Sequence, residues 1–122
     1  MFELKVISHF AAAHRLREFG GKCESLHGHN WKVEVEVRGT DTGPTGVVLD
    51  FSRLKAELNA VLDELDHTDL GCHPHFSKVN PSSEELARYI FDRLKGRVEP
   101  AALHRVTVWE SEEACASYLE SV

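Results

Sequence analysis

The segment His27-Gly28-His29-Asn30-Trp31-Lys32-Val33-Glu34-Val35-Glu36-Val37-Arg38 alternates apolar and charged side chains from position 29 onward. Trp31, Val33, Val35 and Val37 fall on one side and Lys32, Glu34, Glu36 and Arg38 on the other, the period of a strand with one buried face. His27 and His29 extend the apolar row if the strand begins that early. Upstream, Leu4, Val6, Phe10, Ala12 and His14 share a face by the same period, so a second strand over Leu4 to His14 carries a histidine in line with apolar residues.

Downstream, Gly39 to Gly46 is rich in turn-forming residues and leads through a short strand at Val47 to Leu49 into a helix. Asp50 or Ser52 is its N-cap, and Leu54, Leu58, Val61, Leu62 and Leu65 form its apolar stripe, with an end near Asp66-His67. Thr68 to Asn80 reads as a loop. Ser82-Ser83-Glu84-Glu85 then reads as a capping box for a second helix with Leu86, Ile90, Phe91 and Leu94 inward, stopped at Gly96. Arg105 to Glu110 is a strand with Val106, Val108 and Glu110 on one face, and Ala114 to Leu119 is the last. The order ββααββ predicts an α+β domain, a four-stranded antiparallel sheet with two helices on one face.

A chain of 122 residues has room for one core of ordinary size, so residues 1–122 are expected to be a single domain. The formal charge of −6, with no basic tract, argues against a nucleic-acid partner. No apolar run approaches the ~20 residues of a membrane span, and Met1-Phe2-Glu3-Leu4-Lys5 does not read as a signal peptide. A soluble cytoplasmic protein without a membrane partner is the expectation. Three cysteines at wide spacing fit reduced thiols better than a disulfide framework, with Cys115 expected as a small buried residue of the last strand.

Eight histidines are many for this length. His27 and His29, at i and i+2 on a strand, project to one face with bases about 6 to 7 Å apart, and His14 on the neighbouring strand supplies a third nitrogen. Three neutral imidazoles that leave a tetrahedral position open form the pattern of a catalytic zinc site. Facing a core without a metal, three such donors would lack partners. A second group of ligand types, Cys72-His73-Pro74-His75, reads as irregular surface.

Three further features bear on chemistry. Cys23, four residues before His27, is placed to be a base, a nucleophile or a fourth ligand, and a nearby cation would favour its thiolate. Asp66-His67 fits either a carboxylate orienting a proton-transfer imidazole or a histidine at a helix C-terminus. Glu110, aimed inward by alternation, suits a ligand offering an amino group and a ring N–H side by side, unless it is solvated at the strand end.

Phe10-Ala11-Ala12-Ala13-His14, Cys23-Glu24-Ser25-Leu26-His27-Gly28-His29, Val48-Leu49-Asp50-Phe51, Leu65-Asp66-His67 and Asn80-Pro81-Ser82-Ser83-Glu84, in this order over nearly the whole chain, resemble the 6-pyruvoyltetrahydropterin synthase family. Cys followed by three residues and His-Gly-His is similar to the bacterial 6-carboxy-5,6,7,8-tetrahydropterin synthase subgroup of the queuosine pathway. The resemblance implies a tunnelling fold (T-fold) whose sheets pair edge to edge into a barrel, usually a homohexamer. It implies Zn2+ on His14, His27 and His29, Cys23 as base, Asp66 and His67 as proton relay, Glu110 as pterin anchor, and Ser82, Ser83 and Glu84 along the pterin pocket. The implied substrate is 7,8-dihydroneopterin triphosphate, cleaved to 6-carboxytetrahydropterin, acetaldehyde and triphosphate. On charge alone, and not from the resemblance, Arg15, Lys22 or Lys55 would offset the triphosphate.

Two departures from the family pattern, Ser82 for Thr and Gly71 for Asn, remove no chemistry. Glu24 is more consequential, because a folate-serving subgroup uses a glutamate in this region; cleavage to 6-hydroxymethyl-7,8-dihydropterin, alone or as a dual activity, is the alternative. Two readings of other classes remain beside these: a non-enzymatic zinc- or pterin-binding oligomer, and a hydrolase built on Cys23, His67 and Asp66. The hydrolase gives no reason for three histidines on one face.

Overall fold

The computed structural model describes residues 1–120, with the side chains of Lys22 and Cys23 outside the description. The alternating segment forms β2 (His27–Gly39), which pairs antiparallel with β1 (Phe2–His14) along its whole length, Phe2 opposite Gly39 and His14 opposite His27. Helices α1 (Phe51–Leu62) and α2 (Ser83–Leu94) follow, separated by the two-residue β3 (Thr68–Asp69) and a short helical turn at Leu70–Cys72. Then β4 (Ala102–Trp109) pairs antiparallel with β2, and β5 (Cys115–Tyr118) with β4. The sheet order is β3-β1-β2-β4-β5.

The expected α+β architecture is present, with β3 added parallel to Ala12 and Ala13 of β1, which makes the sheet mixed. It does not close on itself: β5 is one edge, and β1 beyond the β3 contact is the other. One sheet face, with Phe10, Trp31, Val33, Val35, Val106 and Val108, packs against Leu54 and Leu58 of α1 and Leu86, Ile90 and Leu94 of α2. The helix-free face is charged, with Lys5 bonded to Glu34 at 3.2 Å and Arg105 to Glu36 at 3.5 Å across strands. No helix among the described residues is long and apolar enough to cross a membrane.

Three local expectations are corrected. Val47 to Leu49 is not a strand: Val48 and Leu49 are buried in an irregular approach to α1, whose N-cap is Asp50, accepting a bond from the Ser52 N–H at 2.8 Å. Helix α1 stops at Leu62 rather than near Asp66-His67, and Leu65 reaches the core from the turns that follow. Cys115 is exposed, because its register opposite Trp109 puts it on the helix-free face, out of phase with Ala116 opposite the buried Val108.

Candidate metal centre

The β1–β2 register delivers the three histidines. His14 and His27 are direct cross-strand partners at the end of the pair, and His29 follows His27 on the same face. Trp31, fully buried, is the next residue in that row; its ring lies edge-on to His14 and His29 with centroids 4.9 and 5.1 Å away, and its indole N–H donates to the Ala12 carbonyl. The imidazoles thus rest on a rigid aromatic floor with their edges facing one another.

Backbone carbonyls fix two of the tautomers. His14 Nδ1–H donates to the Pro81 carbonyl at 2.7 Å and His27 Nδ1–H to the Ser25 carbonyl at 2.6 Å. A carbonyl only accepts, so in both neutral rings the Nε2 atom carries a lone pair. Those two Nε2 atoms lie 3.0 Å apart. Two acceptors held that close require a positive charge between them, and outer bonds from Nδ1 to carbonyls are the arrangement that orients metal-ligating histidines.

Glu110 completes the group. Its Oε1 is 2.9 Å from His29 Nε2 and 3.4 Å from His14 Nε2, and among the described residues that buried His29 nitrogen has no hydrogen bond of good geometry. Burial foremost, and then the other two rings, lower the His29 pKa against the opposing pull of Glu110, which favours the neutral, ligating form. All four ligand atoms lie within 4.8 Å of one another. Zn–N distances of 2.0–2.1 Å separate the corners of a tetrahedral site by about 3.3 Å, and three of the six edges, at 2.9, 3.0 and 3.4 Å, lie near that value. The residues present fit a zinc-like cation.

The start of α2 supports this centre from behind. Pro81, whose carbonyl holds His14, immediately precedes Ser82, the N-cap whose Oγ accepts the Glu85 N–H at 3.1 Å. Ser83 is buried in the first turn and Glu84 is exposed. Arg17 and Asn80 tie this segment to the end of β1 by two bonds, Arg17 N–H to Asn80 Oδ1 at 3.0 Å and Asn80 Nδ2 to the Arg17 carbonyl at 2.9 Å. The positioning roles of Pro81, Asn80 and Arg17 escaped the sequence reading; Asn-Pro ahead of a capping box was the available signal. Ser82→Ala is expected to cost about 1 kcal/mol of stability, read by denaturant unfolding with metal chelated. An unchanged midpoint would mean that the hydroxyl serves only a ligand.

Asp66 and His67 do touch, with Asp66 Oδ2 2.9 Å from His67 Nδ1. Asp66 Oδ1 also accepts the Ala11 N–H at 2.9 Å, and the His67 N–H bonds back to the Ala11 carbonyl, so the pair is clamped to the edge of β1. His67 has φ 58° and a side chain 82% exposed. It is no helix-terminal residue: Asp66 faces Nδ1 and leaves Nε2 toward solvent. The Ala11 bond, then His67, hold Asp66 below the ordinary carboxylate range, so the clamp's contribution is present above that range and is lost as pH falls through the depressed value.

Elsewhere, Glu24 Oε1 accepts the Glu18 N–H at 3.0 Å, bracing the turn after β1. The backbone of Cys23 lies in the short helix Gly21–Glu24, just before His27; its thiol, like the Lys22 ammonium, is outside the described residues. Arg15 is exposed, whereas Lys55 lines a groove with Lys5 and Phe51 far along β1 from His14. His73 and His75 pack around Phe76 and Tyr89, and Cys72 is exposed beside them.

The family model described as 6-pyruvoyl tetrahydropterin synthase matches residues 3–121. A 6-carboxy-5,6,7,8-tetrahydropterin synthase of Synechocystis is 39% identical over 114 residues, 89% of this chain and 86% of that one. The Caenorhabditis elegans 6-pyruvoyl tetrahydropterin synthase structure superposes with a TM-score of 0.87 at 33% identity, covering 98% of this chain and 96% of that one. A Plasmodium vivax 6-pyruvoyltetrahydropterin synthase, solved with cysteine replacing a catalytic glutamate, superposes with a TM-score of 0.74 at 26% identity, covering 99% and 98%.

Proposed function

Because the chain belongs to the 6-pyruvoyl tetrahydropterin synthase family, we propose that it is a zinc-dependent carbon–carbon lyase converting 7,8-dihydroneopterin triphosphate and water to 6-carboxy-5,6,7,8-tetrahydropterin, acetaldehyde and triphosphate. The observation that carries this reading is the convergence of the His14, His27 and His29 nitrogens beside one inward carboxylate. A zinc ion on those histidines supplies Lewis acidity to the side-chain hydroxyls of the substrate and makes the adjacent carbon-bound protons easier to remove.

The remaining work belongs to the chain's own groups. Glu110 accepts the amino group and ring N–H of the pterin on its two oxygens, which fixes the ring while the side chain extends toward the histidines. The Cys23 thiolate takes the proton from the side-chain carbon, and His67 Nε2 exchanges a proton at a side-chain hydroxyl with Asp66 holding its ring. Ser82, Ser83 and Glu84 line the pocket for the ring.

The copies assemble into a cytoplasmic homohexamer through the open sheet edges, which a small sheet must otherwise protect. The open edge of β1 and the exposed Phe2, Ile7 and Phe51 support that assembly. The exposure of His67 supports a site completed by a neighbouring copy.

A second reading is favoured by Glu24 beside Cys23 and by the glutamate described as catalytic in the Plasmodium vivax relative. With Glu24 as base, retro-aldol cleavage of the same substrate would yield 6-hydroxymethyl-7,8-dihydropterin and glycolaldehyde triphosphate; Oε1 accepts the Glu18 N–H, and a carboxylate bonded on one oxygen keeps basic lone pairs on the other. Mass-spectrometric product analysis of the zinc-loaded protein with 7,8-dihydroneopterin triphosphate, under anaerobic conditions, separates the readings. Carboxytetrahydropterin with acetaldehyde is expected. Hydroxymethyldihydropterin alone would shift the base to Glu24, and binding without turnover would leave a zinc- or pterin-binding oligomer.

A further inference from the structure

Glu110 has two demands on it. The pterin anchor requires both carboxylate oxygens to face an amino group and a ring N–H. In the structure, however, Oε1 is directed at His29 and His14, at 2.9 and 3.4 Å. The backbone holds it there: Glu110 continues the inward phase of Val106 and Val108, and its N–H bonds to the Ala114 carbonyl at 3.1 Å, closing the β4–β5 turn.

The charge arithmetic points to an ion. The Pro81 and Ser25 carbonyls leave lone pairs on His14 Nε2 and His27 Nε2, so adding Oε1 puts three electron-rich atoms face to face. A proton on His29 would neutralise its edge with Glu110 but not the 3.0 Å contact between the other two rings. Protons would satisfy the three short edges only in a pair, one between His14 and His27 and one on His29, whereas one divalent cation inside the group supplies both charges.

We propose that Glu110 is an exchangeable fourth ligand: it closes the resting metal centre and leaves it when the amino and ring N–H groups of a pterin take the carboxylate. The inference rests on the pterin reading of the site and deepens it. Four protein ligands make a closed centre of the kind that holds zinc structurally, whereas three and an open position make a reactive one. Ring capture therefore opens the coordination position that the substrate side chain needs. Two parallel charge-assisted hydrogen bonds to the ring compensate Glu110 for the bond it gives up. The Lewis acid is exposed only after the ring is anchored, which withholds the open centre from water and stray anions.

The test uses Co2+ as a visible probe in the full-length protein, together with 7,8-dihydropterin, which lacks the side chain and cannot reach the ion. The wild-type cobalt spectrum is expected to be four-coordinate and to change when 7,8-dihydropterin binds. Glu110→Gln should hold Co2+ at least tenfold more weakly, with a different spectrum that 7,8-dihydropterin does not alter. Glu110→Asp, which keeps the charge on a shorter stem, should lose the wild-type spectrum too. Identical cobalt spectra and affinities in wild type and variants would overturn the ligand assignment. Dihydropterin binding, followed by its fluorescence, without a change in the wild-type cobalt spectrum would overturn the exchange alone. A wild type that fails to bind dihydropterin would overturn the pterin reading and the exchange with it. The wild-type spectra decide the exchange even if a variant does not fold.

Discussion

His27→Ala is expected to reduce bound zinc well below one ion per chain and to lower turnover by about 10³-fold or more. Lewis-acid stabilisation by a metal is worth several kcal/mol, and each 1.36 kcal/mol is about tenfold in rate. His27 is the proposed ligand to test first because it is half-exposed and its outer bond goes to the carbonyl of the exposed Ser25. His14 is a poorer probe: it is buried, and its loss would strand the buried Pro81 carbonyl at a cost of roughly 1–3 kcal/mol. Metal content by mass spectrometry, with circular dichroism to confirm folding, reads the result. Undiminished turnover in a His27→Ala protein that has lost its zinc would remove this ion from the mechanism, and full zinc occupancy would remove His27 from the ligands.

The second large effect concerns the base. Cys23→Ala is expected to lower carboxytetrahydropterin formation by about 10²- to 10⁴-fold, the range for loss of a positioned acid–base group. If Glu24 is an independent base, hydroxymethyldihydropterin formation survives in that variant and disappears in Glu24→Gln. Equal loss of both products in Cys23→Ala argues for a single base. Persistence of the carboxy product without the thiol would end the role of Cys23. Glu24→Gln carries a built-in comparison, because an amide oxygen still accepts the Glu18 N–H and preserves the turn while removing basicity.

The three histidines were legible in the sequence because period two puts His14, His27 and His29 in line with apolar residues, and the only further requirement is that β1 and β2 pair. Glu110 was legible as an inward carboxylate for the same reason. Its contact with His29 was not, since that depends on the β2–β4 register, which contains a shift between Glu36 and Val37. Strand β3 is two residues of local sequence without periodicity and exists through its contact with Ala12 and Ala13. The stripe of α1 overran its true end because Leu65 keeps helical spacing although the chain has turned away. The exposure of Cys115 is not readable from the sequence, because a four-residue edge strand says little about which of its faces is covered. The Asp66–His67 contact rests on a positive φ at His67, which adjacency alone does not reveal.

Along β1, β3 reaches only Ala12 and Ala13, and Asp66 and His67 engage Ala11. Among the described residues no strand pairs with residues 2 to 10 on that side. If the proposed assembly forms, a newly synthesised copy is a template for any extended segment it meets, correct or not, until a like chain arrives. Its yield in a cell is then a race between encounters with its own kind and encounters with everything else. Substitutions that weaken pairing between copies should raise the insoluble fraction before they produce active monomers.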